Sequence, residues 1–151
     1  VRTVKRAIIA VIALLAACDM LPRDPAGTSK RITEERTFTV ALADPTVHEA
    51  SQVQTLIHEI ERRTSAKAQW RPGAGEALFQ QLDDGKLDLV IGRFTAESPW
   101  AMEVAFGPPL STTGTKEAPL ELKAAMRNGE NRWIMTVERA SRAISQEARE
   151  E

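Results

Sequence analysis

Leu87-Asp88-Leu89-Val90-Ile91-Gly92 is a nearly continuous apolar run, and its reading decides the fold. Apolar residues on both alternating faces suit a strand covered on both sides, as in a parallel sheet flanked by helices. Just before it, residues 75–84 read as a helix with Ala77, Leu78 and Leu82 facing inwards, stopped by Gly85. Residues 66–70 form a short strand closed by Pro72-Gly73. Further back, Ala50, Val53, Ile57, Ile60 and Thr64 recur at spacings of three and four. Glu59, Glu61, Arg62 and Arg63 lie on the other side, as in an amphipathic helix. Residues 37–43 alternate apolar and β-favouring types, and Asp44-Pro45-Thr46 ends them as a turn ends a strand.

This β-α-β-α-β order predicts an α/β fold: one three-layer lobe with a mostly parallel sheet. Right-handed crossovers then place the first strand between the second and third. Ligands of such sheets gather at the carboxyl ends of the strands. Here those ends are Ala43-Asp44-Pro45-Thr46 and Gly92-Arg93-Phe94-Thr95. Downstream, 99–103 reads as a helical turn, 104–110 as extended chain with Pro108-Pro109, and 111–119 as a polar loop. Residues 120–127 are rich in helix formers and stop at Asn128-Gly129; strand and helix both stay open for them. Residues 132–146 form a helix whose stripe is Trp133, Val137, Ala140 and Ile144, expected to pack back on the sheet.

The first residues have a different character. Arg2, Lys5 and Arg6 precede an apolar stretch, 7–17, too short to cross a bilayer, which needs about 20 residues. Small residues lead out of it, which marks an export signal. Leu15-Ala16-Ala17-Cys18 resembles the bacterial lipoprotein signal, in which the cysteine is lipidated and becomes the first mature residue. That resemblance implies a signal peptide over 1–17 and a membrane anchor at Cys18, on the periplasmic side of a bacterial envelope. Asp19 favours the inner membrane. Residues 18–36 carry Pro22, Pro25 and Gly27 with little apolar periodicity, and are expected to be a flexible tether. The lobe would then occupy 37–147.

Removing 1–17 takes away three basic residues of 20 and none of the 21 acidic ones, leaving a balance of about −4. Such a surface does not attract nucleic acid. Cys18 is the one cysteine, so no internal disulfide can form and packing must hold the domain.

Asp83-Asp84-Gly85-Lys86-Leu87-Asp88-Leu89-Val90-Ile91-Gly92, then Thr95, Glu97 and Val104-Ala105-Phe106-Gly107-Pro108-Pro109-Leu110, resemble the first lobe of family 3 periplasmic solute-binding proteins, the polar amino-acid type. Asp44-Pro45-Thr46 and Gly129-Glu130-Asn131-Arg132-Trp133 resemble that family as well. The resemblance implies a type II periplasmic-binding-protein-like half, with its C-terminal helix kept. Its members have two lobes; here about ten residues separate Leu110 from the closing segment, leaving no room for a second. Where those receptors carry an aromatic residue after the turn, this chain has Val47. Where they clamp a carboxylate with arginine, it has Trp100.

The resemblance and the strand ends together nominate Asp44, Thr46, Gly92, Arg93, Thr95 and Trp100 for binding a ligand or a partner. Two readings stay open for the last part: Trp100 marks an interface, or it packs on the sheet end while Arg93 is solvated. His48 and His58 lie ten residues apart without a third ligand, so no metal site is expected. Ser98, Ser111 and Thr113 lack a placed base, so nucleophilic catalysis has no support. No cofactor is expected, and Gly73-Ala74-Gly75 reads as a turn rather than a phosphate loop.

The leading expectation is a non-catalytic lipoprotein acting by binding, its partner a small polar solute, a transporter or another membrane protein. The runner-up is a receptor that dimerises to complete its cleft and feeds an ABC transporter. The third is a regulatory module of a cell-envelope enzyme.

Overall fold

The computed structural model describes residues 22–95 and 97–150. Cys18 and the expected signal over 1–17 lie outside the described residues. The chain order is α1 (Thr28–Glu35), β1 (Thr37–Leu42), α2 (Ser51–Thr64), β2 (Lys67–Trp70), α3 (Ala77–Asp83), β3 (Leu89–Thr95), β4 (Val104–Phe106), β5 (Ser111–Gly114), β6 (Pro119–Arg127), α4 (Asn131–Ile144) and α5 (Glu147–Glu150). Short 3₁₀ turns occupy Pro45–Val47 and Pro99–Met102.

The sheet runs β2-β1-β3-β6-β4, with β5 also on β6. As the crossover rule requires, β1 sits between β2 and β3 and is parallel to both. β6 is antiparallel to β3, β4 and β5, so it alone runs against the other strands. The sheet is therefore mostly parallel in strand direction. β4 and β5 follow one another along the same edge of β6, interrupted at Pro108-Pro109. Proline cannot donate to a ladder, so an edge is where it belongs.

Period-two alternation sends side chains to both faces. Val40, Leu42, Leu89, Ile91, Leu122, Ala124 and Met126 pack beneath α1, α2 and α4, around Val53, Leu56, Ile60, Trp133 and Val137. Ala41, Val90 and Ala125 point the other way, to Leu78, Phe79 and Leu82 of α3. Three layers result, with α2 and α3 on opposite faces as right-handed crossovers demand. Trp133 is the largest fully buried side chain. It lies 5.8 Å from Phe38, and its Nε1–H donates to the Asp88 carbonyl at 2.7 Å. A buried indole needs such a partner.

Two expectations need correction, and one reading left open is decided. Residues 111–119 are a hairpin arm and turn rather than a loop, because β5 pairs with the start of β6. Residues 120–127 are strand, and their helix formers are overruled by a seat between β3 and β4 where both faces are buried.

The second correction concerns the tether. From Pro22 onward the chain is ordered and docked, and the lobe begins before Thr37. Ile32 of α1 is 1% exposed in the main core. The Arg31 guanidinium donates to the buried Asp88 carboxylate, which also accepts from Thr39 N–H at 2.8 Å and Thr39 Oγ1 at 2.9 Å. Upstream, two carboxylates lock the arm to α4. Asp24 Oδ1 accepts from the N–H groups of Arg132 (2.6 Å) and Trp133 (3.2 Å), and its Oδ2 accepts from Ser29 N–H. Glu130, 2% exposed, accepts from Ala26 N–H (2.8 Å) and Thr28 N–H (3.0 Å). Each carboxylate thus satisfies orphan donors at the other segment's helix start.

Candidate functional site

The carboxyl ends of β1, β2 and β3 form one rim. Ala43 N–H donates to Ile91 O at 2.9 Å, which holds the exit of β1 against β3. Asp44 follows and caps the 3₁₀ turn: its Oδ1 accepts from Thr46 N–H at 2.9 Å and Thr46 Oγ1 at 2.7 Å. Arg93 Nη1 stands 3.7 Å from Asp44 Oδ2, with both side chains about a third exposed. The Thr46 hydroxyl bond, then its N–H, hold the Asp44 carboxyl below its usual range, with Arg93 adding to them against desolvation. The rim thus carries a fixed, ionised carboxylate beside a guanidinium.

Gly92 allows the close approach. A Cβ there would lie 2.8 Å from the Ala43 Cβ and 3.1 Å from the Phe94 ring. The missing side chain lets β1 and β3 come together under the rim. Thr95, exposed at the end of β3, opens with Glu97, Glu117, Ala118 and Pro119 onto a depression of about 470 Å³.

Trp100 is not part of this grouping. After Thr95 the chain leaves the rim and returns along the α3 face to Val104, which pairs with Arg127 at the opposite edge. On that path Trp100 stacks on Phe79, ring centroids 4.7 Å apart and planes 15° apart. The half-buried ring packs against the α3-side core cluster. Val47 is likewise 0% exposed in the main core, so neither substituted receptor position faces the rim.

Sequence reasoning missed a second part of the rim. A pocket of about 370 Å³ lies at the ends of β1 and β2, lined by Leu42, Pro45, His48, Trp70, Arg71, Pro72 and Gly73. Trp70 is 39% exposed and meets the His48 ring edge-on at 5.3 Å. A tryptophan ending a short strand just before Pro-Gly was the available signal, since a strand end on a parallel sheet points to the ligand edge. Pro45 joins this aromatic pocket to the Asp44–Arg93 pair.

Among the described residues, no group of three His, Cys, Asp or Glu side chains could hold a metal ion. His48 contacts Glu49 at 3.1 Å, and His58 is exposed on α2. No described helix is long and apolar enough to cross a membrane.

No protein-family model matches the chain, and no curated protein sequence does. Solved structures do resemble it. The arginine-bound form of domain 1 from TmArgBP, the T. maritima ArgBP, superposes with a TM-score of 0.62 at 20% identity, over 75% of this chain and 97% of that one. A point mutant of the same domain gives 0.64 at 19% identity, over 76% and 96%. A double mutant of the Bordetella pertussis BvgS VFT2 domain gives 0.64 at 10% identity, over 83% and 95%. The chain has the fold of a single α/β lobe of the type II periplasmic-binding-protein, or Venus flytrap, kind.

Proposed function

We propose that this chain is a non-catalytic binding lobe of the bacterial cell envelope, held by lipid on Cys18, whose rim takes a small polar solute of amino-acid type. The observation that carries this is the junction at Pro45 of an apolar aromatic pocket with an ionised carboxylate and a guanidinium. Such a set recognises a solute carrying both charges and a stem: Asp44 accepts from an ammonium, Arg93 or Arg71 donates to a carboxylate, and Trp70 covers the stem. The TmArgBP domain 1 structure supports the reading, because there a lone lobe is described in an arginine-bound form. An open lobe leaves one side of its ligand in water, where polar contacts are weaker than in a closed cleft that buries roughly 70–90% of the ligand. The expected affinity is accordingly modest.

A thermal-shift screen of amino acids and related polar solutes tests the proposal. A solute at 100 times its Kd stabilises the native state by about 2.7 kcal/mol, about 10 °C for a domain of this size. A flat response across the screen at millimolar concentrations rejects the solute reading.

Trp70 and Leu120, both more than a third exposed at the rim, favour a second reading in which another polypeptide closes over it. A second copy is the first candidate, making a dimerising receptor that feeds an ABC transporter. Solute-dependent doubling of the mass in sedimentation identifies that arrangement.

A further inference from the structure

The arm that ends nearest Cys18 is docked at the end of the lobe opposite the rim. β6 runs against β1 and β3, so its last residue, Arg127, lies beyond the start of β3, where Val90 already pairs with Ala125. The chain turns there through Asn128-Gly129 into α4, and the first turn of α4 is where Asp24 and Glu130 lock the arm. Asp88, which takes the Arg31 guanidinium, also stands at the amino end of β3. The attachment is therefore to the amino edge. Four peptide steps join Cys18 to Pro22, the first described residue, and fully extended they span about 14 Å. The nine residues of β6 carry the rim about 30 Å from that edge.

A lobe anchored through so short a connection cannot turn its rim to the bilayer. We propose that the Asp24–Glu130 clasp seats the lobe amino edge first on the membrane surface and aims the rim into the aqueous compartment, so that the rim is loaded from solution. This rests on the reading of Cys18 as the lipid anchor. Met102 adds to it: at 88% exposed it is the most exposed of the large apolar side chains described, two residues before Val104 at the same amino edge. It gives that edge an apolar point for the headgroup region. In that orientation a membrane-embedded protein of low profile meets the amino edge and not the rim.

The test uses the full chain expressed with its own N-terminus and reconstituted in vesicles. Asn128→Cys and Lys116→Cys place fluorophores in the turns at the two ends of β6, both outside the proposed solute contacts. Energy transfer to an acceptor lipid is expected to be several-fold stronger from position 128 than from position 116. Adding Asp24→Asn with Glu130→Gln is expected to shrink that contrast while circular dichroism still reports a folded lobe. If this variant unfolds, Glu130→Gln alone serves as the same control. Equal or reversed transfer from membrane-bound protein overturns the orientation and leaves the anchor standing. A contrast that survives in the clasp variant overturns the clasp as its cause. Recovery of the protein in the soluble fraction overturns the anchor reading, and the orientation with it.

Discussion

Trp100 lies flat on Phe79, ring planes 15° apart at 4.7 Å, and so closes the α3 side of the core rather than the binding rim. Trp100→Ala is expected to cost about 2 kcal/mol, less than a fully buried tryptophan because this one is half-buried, and to leave solute affinity unchanged. Urea unfolding checks the first and titration the second. A stable variant that had lost binding would return Trp100 to the site.

Trp70 has the opposite profile, exposed and in ring contact with His48. Trp70→Ala should leave stability within about 0.5 kcal/mol and weaken solute binding about tenfold. Its emission should change on binding, read in a variant with Trp100→Phe. An unchanged affinity would remove the aromatic pocket from the site.

The docked arm predicts that residues before Thr37 are needed for folding. Removing them exposes the pocket filled by Ile32, worth about 1.5–3 kcal/mol, and leaves the buried Asp88 without Arg31. Asp24→Ala alone should cost about 1.5 kcal/mol by uncapping α4. Melting of the shortened chain at the temperature of the whole one would show the arm to be dispensable.

Gly92→Ala should destabilise by about 1–3 kcal/mol, because its Cβ would stand 2.8 Å from that of Ala43. The paired substitution Ala43→Gly with Gly92→Ala should recover part of the loss. Failure of that rescue would place the strain elsewhere.

Acid sensitivity has a specific source in Glu59. Its carboxylate accepts from Arg62 Nε and Nη2, and from Arg63 Nε. The Arg62 bonds, reinforced by the charges of Arg62 and Arg63, hold its pKa at about 2 against 4.5. A depressed folded pKa means the contribution is complete above pH 4.5 and is lost as pH falls towards 2. Its Arg62 partner is exposed to solvent, which screens the pair, so the effect is about 0.5–1 kcal/mol. Glu59→Gln should flatten the stability curve in that window, and an unaltered slope between pH 5 and 2 would contradict this.

The strand–helix order was legible because it depends on local periodicity. Leu87 to Gly92 carries apolar residues on both faces, so it had to be a central strand, and Val53, Ile57 and Ile60 share one helical face whatever surrounds them. Residues 120–127 resisted reading because their composition favours a helix and only the flanking strands β3 and β4 make them a strand. The arm resisted for another reason. Asp24 and Glu130 lie more than a hundred residues apart, and a segment with Pro22, Pro25 and Gly27 reads as a tether until its capping partners are known. Asp44, Thr46 and Arg93 were visible as strand-end residues, and the structure does bring them together. Trp70 was open to the same strand-end reading, but the pocket around it was not visible, because its walls come from separate segments of the chain, near 42–48 and 70–73.

Sequence by itself determined the α/β class, the position of β1 between β2 and β3, and the edge at which polar groups would gather. These follow from side-chain periodicity and crossover handedness, which need no distant contact. Only the tertiary structure decided that Trp100 belongs to the core, that Trp70 belongs to the rim, and that the arm is clasped to α4. Those depend on which remote groups share a surface. A carboxylate or an indole takes its role from the donors and faces that packing brings to it.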